Sequence, residues 1–291
     1  MYNAIVALEA LLDQRAPRLA VTRADFNLDG HTEIFLQNGE LQAILRLDGL
    51  AAIEELDAYA LSHNFGDTLA RQTEHYYRKI HQHEGESGHS GAGIASAHDR
   101  ISFKHVITSA DLTVDKRQRA LFLDKFQPVG GTAQELADYT LQGNAERALT
   151  FVTEAFPIEK TIELAGNCLS VIYHTGASMA GEFTTEINLA MPSCDGLAGK
   201  FIVKGEIPGG FGQLLELGEA TEVILDDDVL GGAIRLTASK PVSFHASPYF
   251  SVSQSEAGFE KIMQAVTLTL GWHVPATRSE LRIELEITRK K

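Results

Sequence analysis

The sequence predicts an all-β protein, one large antiparallel β-sandwich entered through a short N-terminal helix. Three observations carry this. From residue 101 onward, short apolar runs follow one another, and many alternate apolar with polar, as half-buried antiparallel strands do. Turn residues punctuate the runs at Gly130-Gly131, Gly143-Asn144, Gly166-Asn167, Asp195-Gly196, Gly209-Gly210 and Gly231-Gly232. No long helical pattern interrupts them, and strands at this spacing close into a sandwich or a barrel.

The elements follow in order. In residues 2–14, "YNAIVALEALLDQ", Ile5, Leu8, Leu11 and Leu12 share one helical face, with Val6 beside it. A helix this short is marginal alone and must lean on something. Residues 1–20 therefore read as a helical appendage and residues 21–291 as the sandwich domain. In "TEIFLQNGELQAIL" two apolar runs flank Asn38-Gly39, the strongest short hairpin signal. Residues 64–80 are mixed and admit a short helix, and 81–100, rich in Gly, Ser and His, reads as a mobile loop. Strands are then expected at "ISFKHVIT", "RALFLDKF", "RALTFVTEAF", "IEKTIELAG", "CLSVIYH", "FTTEINLAM", "GKFIVKG", "TEVILDD", "AIRLTAS", "VSFHASPYF", "MQAVTLTLGWHV" and "ELRIELEIT".

Composition narrows the function classes. The formal net charge is −14, from 39 acids and 25 bases, which argues against nucleic-acid binding and anionic membranes. Cys168 and Cys194 form no disulfide framework and no metal-ligand spacing. No stretch approaches the ~20 apolar residues of a membrane helix, and the N-terminus lacks the basic region of a signal peptide. A cytoplasmic protein is expected.

Residues 25–33, "DFNLDGHTE", place oxygen side chains on alternate positions. Asp25, Asn27 and Asp29, the His31 carbonyl and Glu33 are a candidate Ca²⁺ set, with Gly30 making the turn. The twelfth position of an EF-hand would be Leu36, so this is a different loop. The alternative is an Asx-rich turn with no ion. The cation is favoured because crowded acids repel unless neutralised.

Glycosyl chemistry needs two facing carboxylates, ~5 Å apart for retention and wider for inversion. Glu182, Glu186, Glu256 and Glu260 invite that reading, but Glu256 with Gln254 reads as tying a strand end over Phe259, so no catalytic residue is assigned. His174 and His245 read as ordinary strand histidines, with no acid paired to them by sequence. His81, His83, His89 and His98 read as part of a solvated loop. For sugar contact, the candidates are Trp272, the only tryptophan, with Tyr76, His245 and Glu256; Tyr77, Tyr249 and Phe250 are further aromatics.

Several stretches resemble the C-terminal domain of the alpha-amylase/4-alpha-glucanotransferases of glycoside hydrolase family 57. They are "DFNLDGHTEIFLQN", "LAAIEELDAYALSHNFGDTLARQTEHYY", "AHDR", "FTTEINLAMPSCDG" and "PVSFHASPYFSVSQSEAGFEKIMQAVTLTLGW", in the family's order. The resemblance implies a sandwich of galactose-mutarotase-like type that follows a catalytic barrel and a helical bundle. Residues 2–14 resemble the end of that bundle, while the barrel with its catalytic carboxylates has no counterpart here. The implied function is a non-catalytic module of an α-glucan-processing enzyme, with that barrel and bundle and an α-glucan or maltooligosaccharide as its expected partners. The alternative is a free-standing sugar-active enzyme on the same scaffold, such as an aldose epimerase.

Overall fold

The computed structural model describes residues 2–12, 20–26, 28–85, 103–145, 148–194, 198–255 and 258–290. Helix α1 (Tyr2–Leu12) precedes strands β1 (Ala20–Ala24), β2 (Glu33–Gln37), β3 (Leu41–Arg46), β4 (Ile53–Ala58) and β5 (His63–Asn64). Helix α2 (Tyr77–Gly85) and a 3₁₀ turn at Ser109–Leu112 follow. The remaining strands are β6 (Leu121–Pro128), β7 (Gln134–Glu135), β8 (Thr140–Ala145), β9 (Ala148–Val152), β10 (Ile158–Ala165), β11 (Cys168–Thr175) and β12 (Gly181–Leu189). Then come β13 (Gly199–Val203), β14 (Glu206–Gly210), β15 (Leu215–Asp227), β16 (Gly232–Ser255), β17 (Gly258–Val274) and β18 (Ser279–Arg289).

Every named strand pairing is antiparallel, and the pairings trace two leaves. The first runs β1-β2-β3-β4-β6-β12-β17 and ends on the C-terminal half of β16 and the N-terminal part of β15. The second runs β8-β9-β10-β11-β18, continues through the N-terminal half of β16 and the C-terminal part of β15, and ends on β13 and β14. Inward side chains of both leaves, such as Ile34, Leu45, Phe183 and Leu268 from the first and Ile162, Val171, Leu236 and Ile283 from the second, form one buried core. The alternation expected from sequence appears directly: β10 and β18 bury every second residue, as a leaf with one wet face must.

The hairpin at Asn38-Gly39 forms. Asn38 Oδ1 accepts the amides of Glu40 and Leu41 at 3.0 and 2.9 Å, and Gly39 takes φ +81°, a conformation that costs glycine nothing. Three expectations change. "ISFKHVIT" is not a strand: its described part makes one isolated bridge, Phe103 with Phe259, and Val106 is exposed. The helix expected within 64–80 starts at Tyr77 and runs to Gly85, into the segment read as loop. "AIRLTAS" and "VSFHASPYF" are one strand, β16. It leaves β18 after Ala238 and joins β17 at Ser243, and Pro241 falls in the interval, where its missing N–H breaks no ladder bond.

The appendage also differs from expectation. β1 begins at Ala20, within the stretch assigned to the appendage. Helix α1 rests against β5 and buries Val6, whereas Leu8, Leu11 and Leu12 are 58, 74 and 79% exposed. The predicted apolar stripe therefore faces outward. No helix among the described residues is long and apolar enough to cross a membrane.

Candidate functional site

The loop between β1 and β2 gathers acids as the sequence suggested. A carboxylate oxygen from each of Asp25, Asp29 and Glu33 lies within 4.8 Å of the others. Asp25 accepts the amide of Asp29 on Oδ1 and that of Gly30 on Oδ2, both at 3.0 Å, and Gly30 takes φ +88°. Asp29 accepts the His31 amide at 2.9 Å and pairs with Arg46 of β3 at 2.8 Å. Glu33 is buried and accepts the Phe26 amide on Oε2 at 2.8 Å. His31 itself is exposed, and Asn27 lies outside the described residues.

The outer face of the first leaf carries a second polar constellation. Asp115 accepts the Arg71 amide at 2.6 Å and pairs with the guanidinium groups of Arg71 and Arg119 at 3.0 and 3.2 Å. It also accepts the Tyr249 hydroxyl. Burial opposes its charge, but the Arg71 and Tyr249 hydrogen bonds prevail and hold the carboxyl at about 2. Arg71 and Arg119 stack over Tyr249 at 4.7 and 4.2 Å, and Arg119 continues to Glu186 of β12 at 3.0 Å. Every cation in this chain of contacts is already matched by an acid. It acts as a clasp that fastens the segment between β5 and β6 across the leaf.

The sugar-contact candidates do not converge. Trp272 is 6% exposed and packs on Phe183 and Tyr173 at 4.4 and 5.6 Å, so it is a core residue with no face for a sugar. The reason is register: Trp272 shares the inward phase of β17 with Leu268, Leu270 and Val274. Tyr76 donates its hydroxyl to the Val252 carbonyl at 2.7 Å and stacks near Phe259, which anchors the chain ahead of α2. His245 lies on the outer phase of β16, about 23 Å from Val252 at ~3.3 Å per residue. Glu256 lies outside the described residues.

The carboxylates and histidines considered for catalysis are spread out as well. Glu182 and Glu186 sit four residues apart on β12, roughly 13 Å, too far for either glycosidase geometry. Glu260 pairs with Lys104 at 2.6 Å. The structure does supply the acids that sequence could not. His245 meets Glu216 at 2.9 Å, His273 meets Glu182 at 2.9 Å, and His174 lies 3.6 Å from Glu280. All three are surface pairs, worth little individually. His174, Glu280, Glu159 and Arg278 line an open cleft of about 670 Å³ with no aromatic wall. In the histidine-rich loop, His89 and His98 lie outside the described residues, and the His81 backbone is in α2.

Sequence reading missed a charged cluster inside the core. Lys160 of β10 reaches across from the second leaf to Asp124 of β6 in the first, 2.8 Å away, and both are fully buried. Tyr173, Thr185 and Tyr139 donate hydroxyls to the same carboxylate at 2.8, 2.7 and 3.1 Å. Phe122 is the extra residue of a β-bulge opposite Glu186 and Ile187, in a left-handed conformation at φ +66°. Its carbonyl accepts from Lys160 Nζ at 2.7 Å. Burial pushes the Lys160 ammonium below its ordinary range, with Asp124 opposing that shift. The signal was available: in "IEKTIELAG", Lys160 occupies the same phase as Ile158, Ile162 and Leu164. A cluster closed on all sides has no room for substrate, and its role is to tie the leaves together.

The family model described as "Alpha-amylase/4-alpha-glucanotransferase, C-terminal" matches residues 25–287. The 4-alpha-glucanotransferase of Thermococcus kodakarensis is 25% identical over 279 residues, which cover 90% of this chain and 39% of that protein. The alpha-amylase of Pyrococcus abyssi is 23% identical, covering 84% of this chain and 38% of that protein. The crystal structure of the 4-alpha-glucanotransferase from Thermococcus litoralis superposes with a TM-score of 0.69 at 20% identity, over 98% of this chain and 41% of that one. A putative mutarotase from Salmonella typhimurium superposes at 0.54 with 11% identity, over 97% of this chain and 99% of that one, a likeness of fold alone. The chain thus spans about two fifths of the length of the glucan-processing proteins it matches. Its two-leaf sandwich and the match over residues 25–287 place this chain in the alpha-amylase/4-alpha-glucanotransferase C-terminal domain family.

Proposed function

We propose that this chain is the non-catalytic β-sandwich module of an α-glucan-processing enzyme of the 4-alpha-glucanotransferase or alpha-amylase type. Its role is to support a catalytic region that lies outside these residues. The carrying observation is the family match over residues 25–287 by a chain that spans only 39% of its relative from Thermococcus kodakarensis. The site chemistry agrees, because the described carboxylates considered for catalysis are ion-paired or hydrogen-bonded and lie apart. On this reading the chain alone redistributes no maltooligosaccharides. Incubation with a maltooligosaccharide series followed by chain-length analysis tests it; turnover that survives repurification and responds to substitution of Glu186 or Glu182 would overturn it.

Helix α1 supplies the surface for that partner. Its exposed Leu8, Leu11 and Leu12 are apolar groups that isolated solubility does not require, and they immediately precede the sandwich. The helix is held to the body through Val6, so its outer stripe is presented on a fixed support. The isolated chain is expected to self-associate weakly through this stripe. Leu8→Ser with Leu11→Ser should shift sedimentation toward monomer while the thermal midpoint stays within a few degrees. Identical sedimentation of the two proteins across concentration would remove α1 as the contact surface.

A further inference from the structure

We infer that the loop between β1 and β2 is a calcium site, built from Asp25, Asp29 and Glu33. The first observation is the cluster itself, with one carboxylate oxygen from each residue within 4.8 Å of the others. The second is independent of it. Glu33 is only 3% exposed, and while Oε2 accepts the Phe26 amide, its Oε1 has no hydrogen-bond partner. A buried carboxylate oxygen left unsatisfied is costly, and one lying beside two further acids is costlier still. A cation removes both costs at once.

The local charge balance points the same way. Asp25, Asp29 and Glu33 bring three negative charges, and Arg46, paired to Asp29 at 2.8 Å, brings one positive charge. Glu54 stands close enough to feel the group. Burial raises its pKa, Arg46 opposes, and Asp48, Glu33 and Asp29 raise it further. An Asx turn explains the backbone bonds to Asp25 and Asp29, but it leaves Glu33 Oε1 and the excess charge unanswered.

The donor chemistry selects the ion. The cluster offers carboxylate oxygens only, without nitrogen or sulfur, which suits a hard cation. Glu33 Oε1 is unbonded, and the oxygens that accept backbone amides keep a second acceptor direction. Acids carried on an exposed turn suit Ca²⁺, which takes 6–8 oxygens in flexible geometry, better than Mg²⁺, which demands an octahedron. Bound there, the ion would fasten the β1–β2 connection to β3 through Asp29 and Arg46, at the point where the chain enters the sandwich.

The test uses the whole chain, stripped with a chelator and titrated with CaCl₂ in a calorimeter. In parallel, thermal unfolding is followed with Ca²⁺, with Mg²⁺ and with excess chelator. One saturable site is expected, with a midpoint that rises with Ca²⁺ and much less with Mg²⁺. Glu33→Gln keeps an acceptor for the Phe26 amide, and the exposed Asp25→Asn keeps one for the loop amides, so both should fold. Each should weaken Ca²⁺ binding by about tenfold or more, since affinity follows ligand charge. Absence of binding at millimolar Ca²⁺ overturns the inference. So does equal stabilisation by Mg²⁺, or unchanged affinity in the two variants, which would put the ion elsewhere.

Discussion

Asp124→Ala is expected to destabilise the protein by about 3–5 kcal/mol, the cost of leaving one member of a buried ion pair behind. The stranded group is Lys160, fully buried between the leaves, with only the Phe122 carbonyl left as a close hydrogen-bond acceptor. The same substitution deprives Tyr139, Tyr173 and Thr185 of their shared acceptor. Lys160→Met should cost less, because those three hydroxyls continue to stabilise the carboxylate and the Met chain refills most of the volume. Urea unfolding of both variants measures the difference. If Lys160→Met is the more damaging, or if Asp124→Ala costs under about 1 kcal/mol, the carboxylate is not the hub that its four partners make it.

Asp57→Asn is expected to stabilise the protein above pH 7 and to lose that advantage in acid. Asp57 of β4 is buried beside Gln42 of β3. Burial raises its pKa to about 7 from 3.8, Glu55 adds to the rise, Gln42 opposes it and Glu9 of α1 contributes a further increment. Through the window between those two values the folded protein keeps the proton that the unfolded chain releases. Stability therefore falls as pH rises through that window, and is level above it. Asparagine keeps the acceptor for Gln42, 3.1 Å away, and carries no charge. At ~1.4 kcal/mol per unit, the variant should gain about 2–4 kcal/mol near pH 8 and nothing near pH 4. Chemical denaturation at four or five pH values gives the comparison. Stability curves that run parallel for the two proteins would show that Asp57 ionises normally in the fold.

The strands were legible because their period is written residue by residue. In β10 and β18 the inward phase is apolar and the outward phase polar, and Asn38-Gly39 announces its own hairpin. The acidic loop was legible for the same local reason: Asp25, Asp29 and Glu33 need only one turn to meet. What sequence hid depends on partners far along the chain. The matching of His245 with Glu216, and of Asp115 with Arg71 and Tyr249, follows from strand order, which no local pattern encodes. Trp272 was a sugar candidate only as the sole tryptophan, and its phase on β17 already pointed inward. The outward turn of Leu8, Leu11 and Leu12 was not encoded in the helix pattern alone. Helical periodicity identifies an apolar stripe but not whether the body of the protein or another surface covers it.

Strand β16 has one further consequence. Its first half completes one leaf and its second half the other, with β15 beside it in both. Neither leaf therefore has a backbone of its own to fall back on. Local opening of β16 removes ladder bonds from both leaves at the same moment, so the two cannot melt as separate foldons. The slowest-exchanging amides should lie along this one segment rather than be divided between two centres. Its own partners, β15, β17 and β18, are neighbours in sequence, while the next strands out, β12 beside β17 and β11 beside β18, lie further back in the chain, so the leaves close longer loops as they grow from this segment. A chain wired this way folds as a single cooperative unit, which suits the supporting role proposed for it.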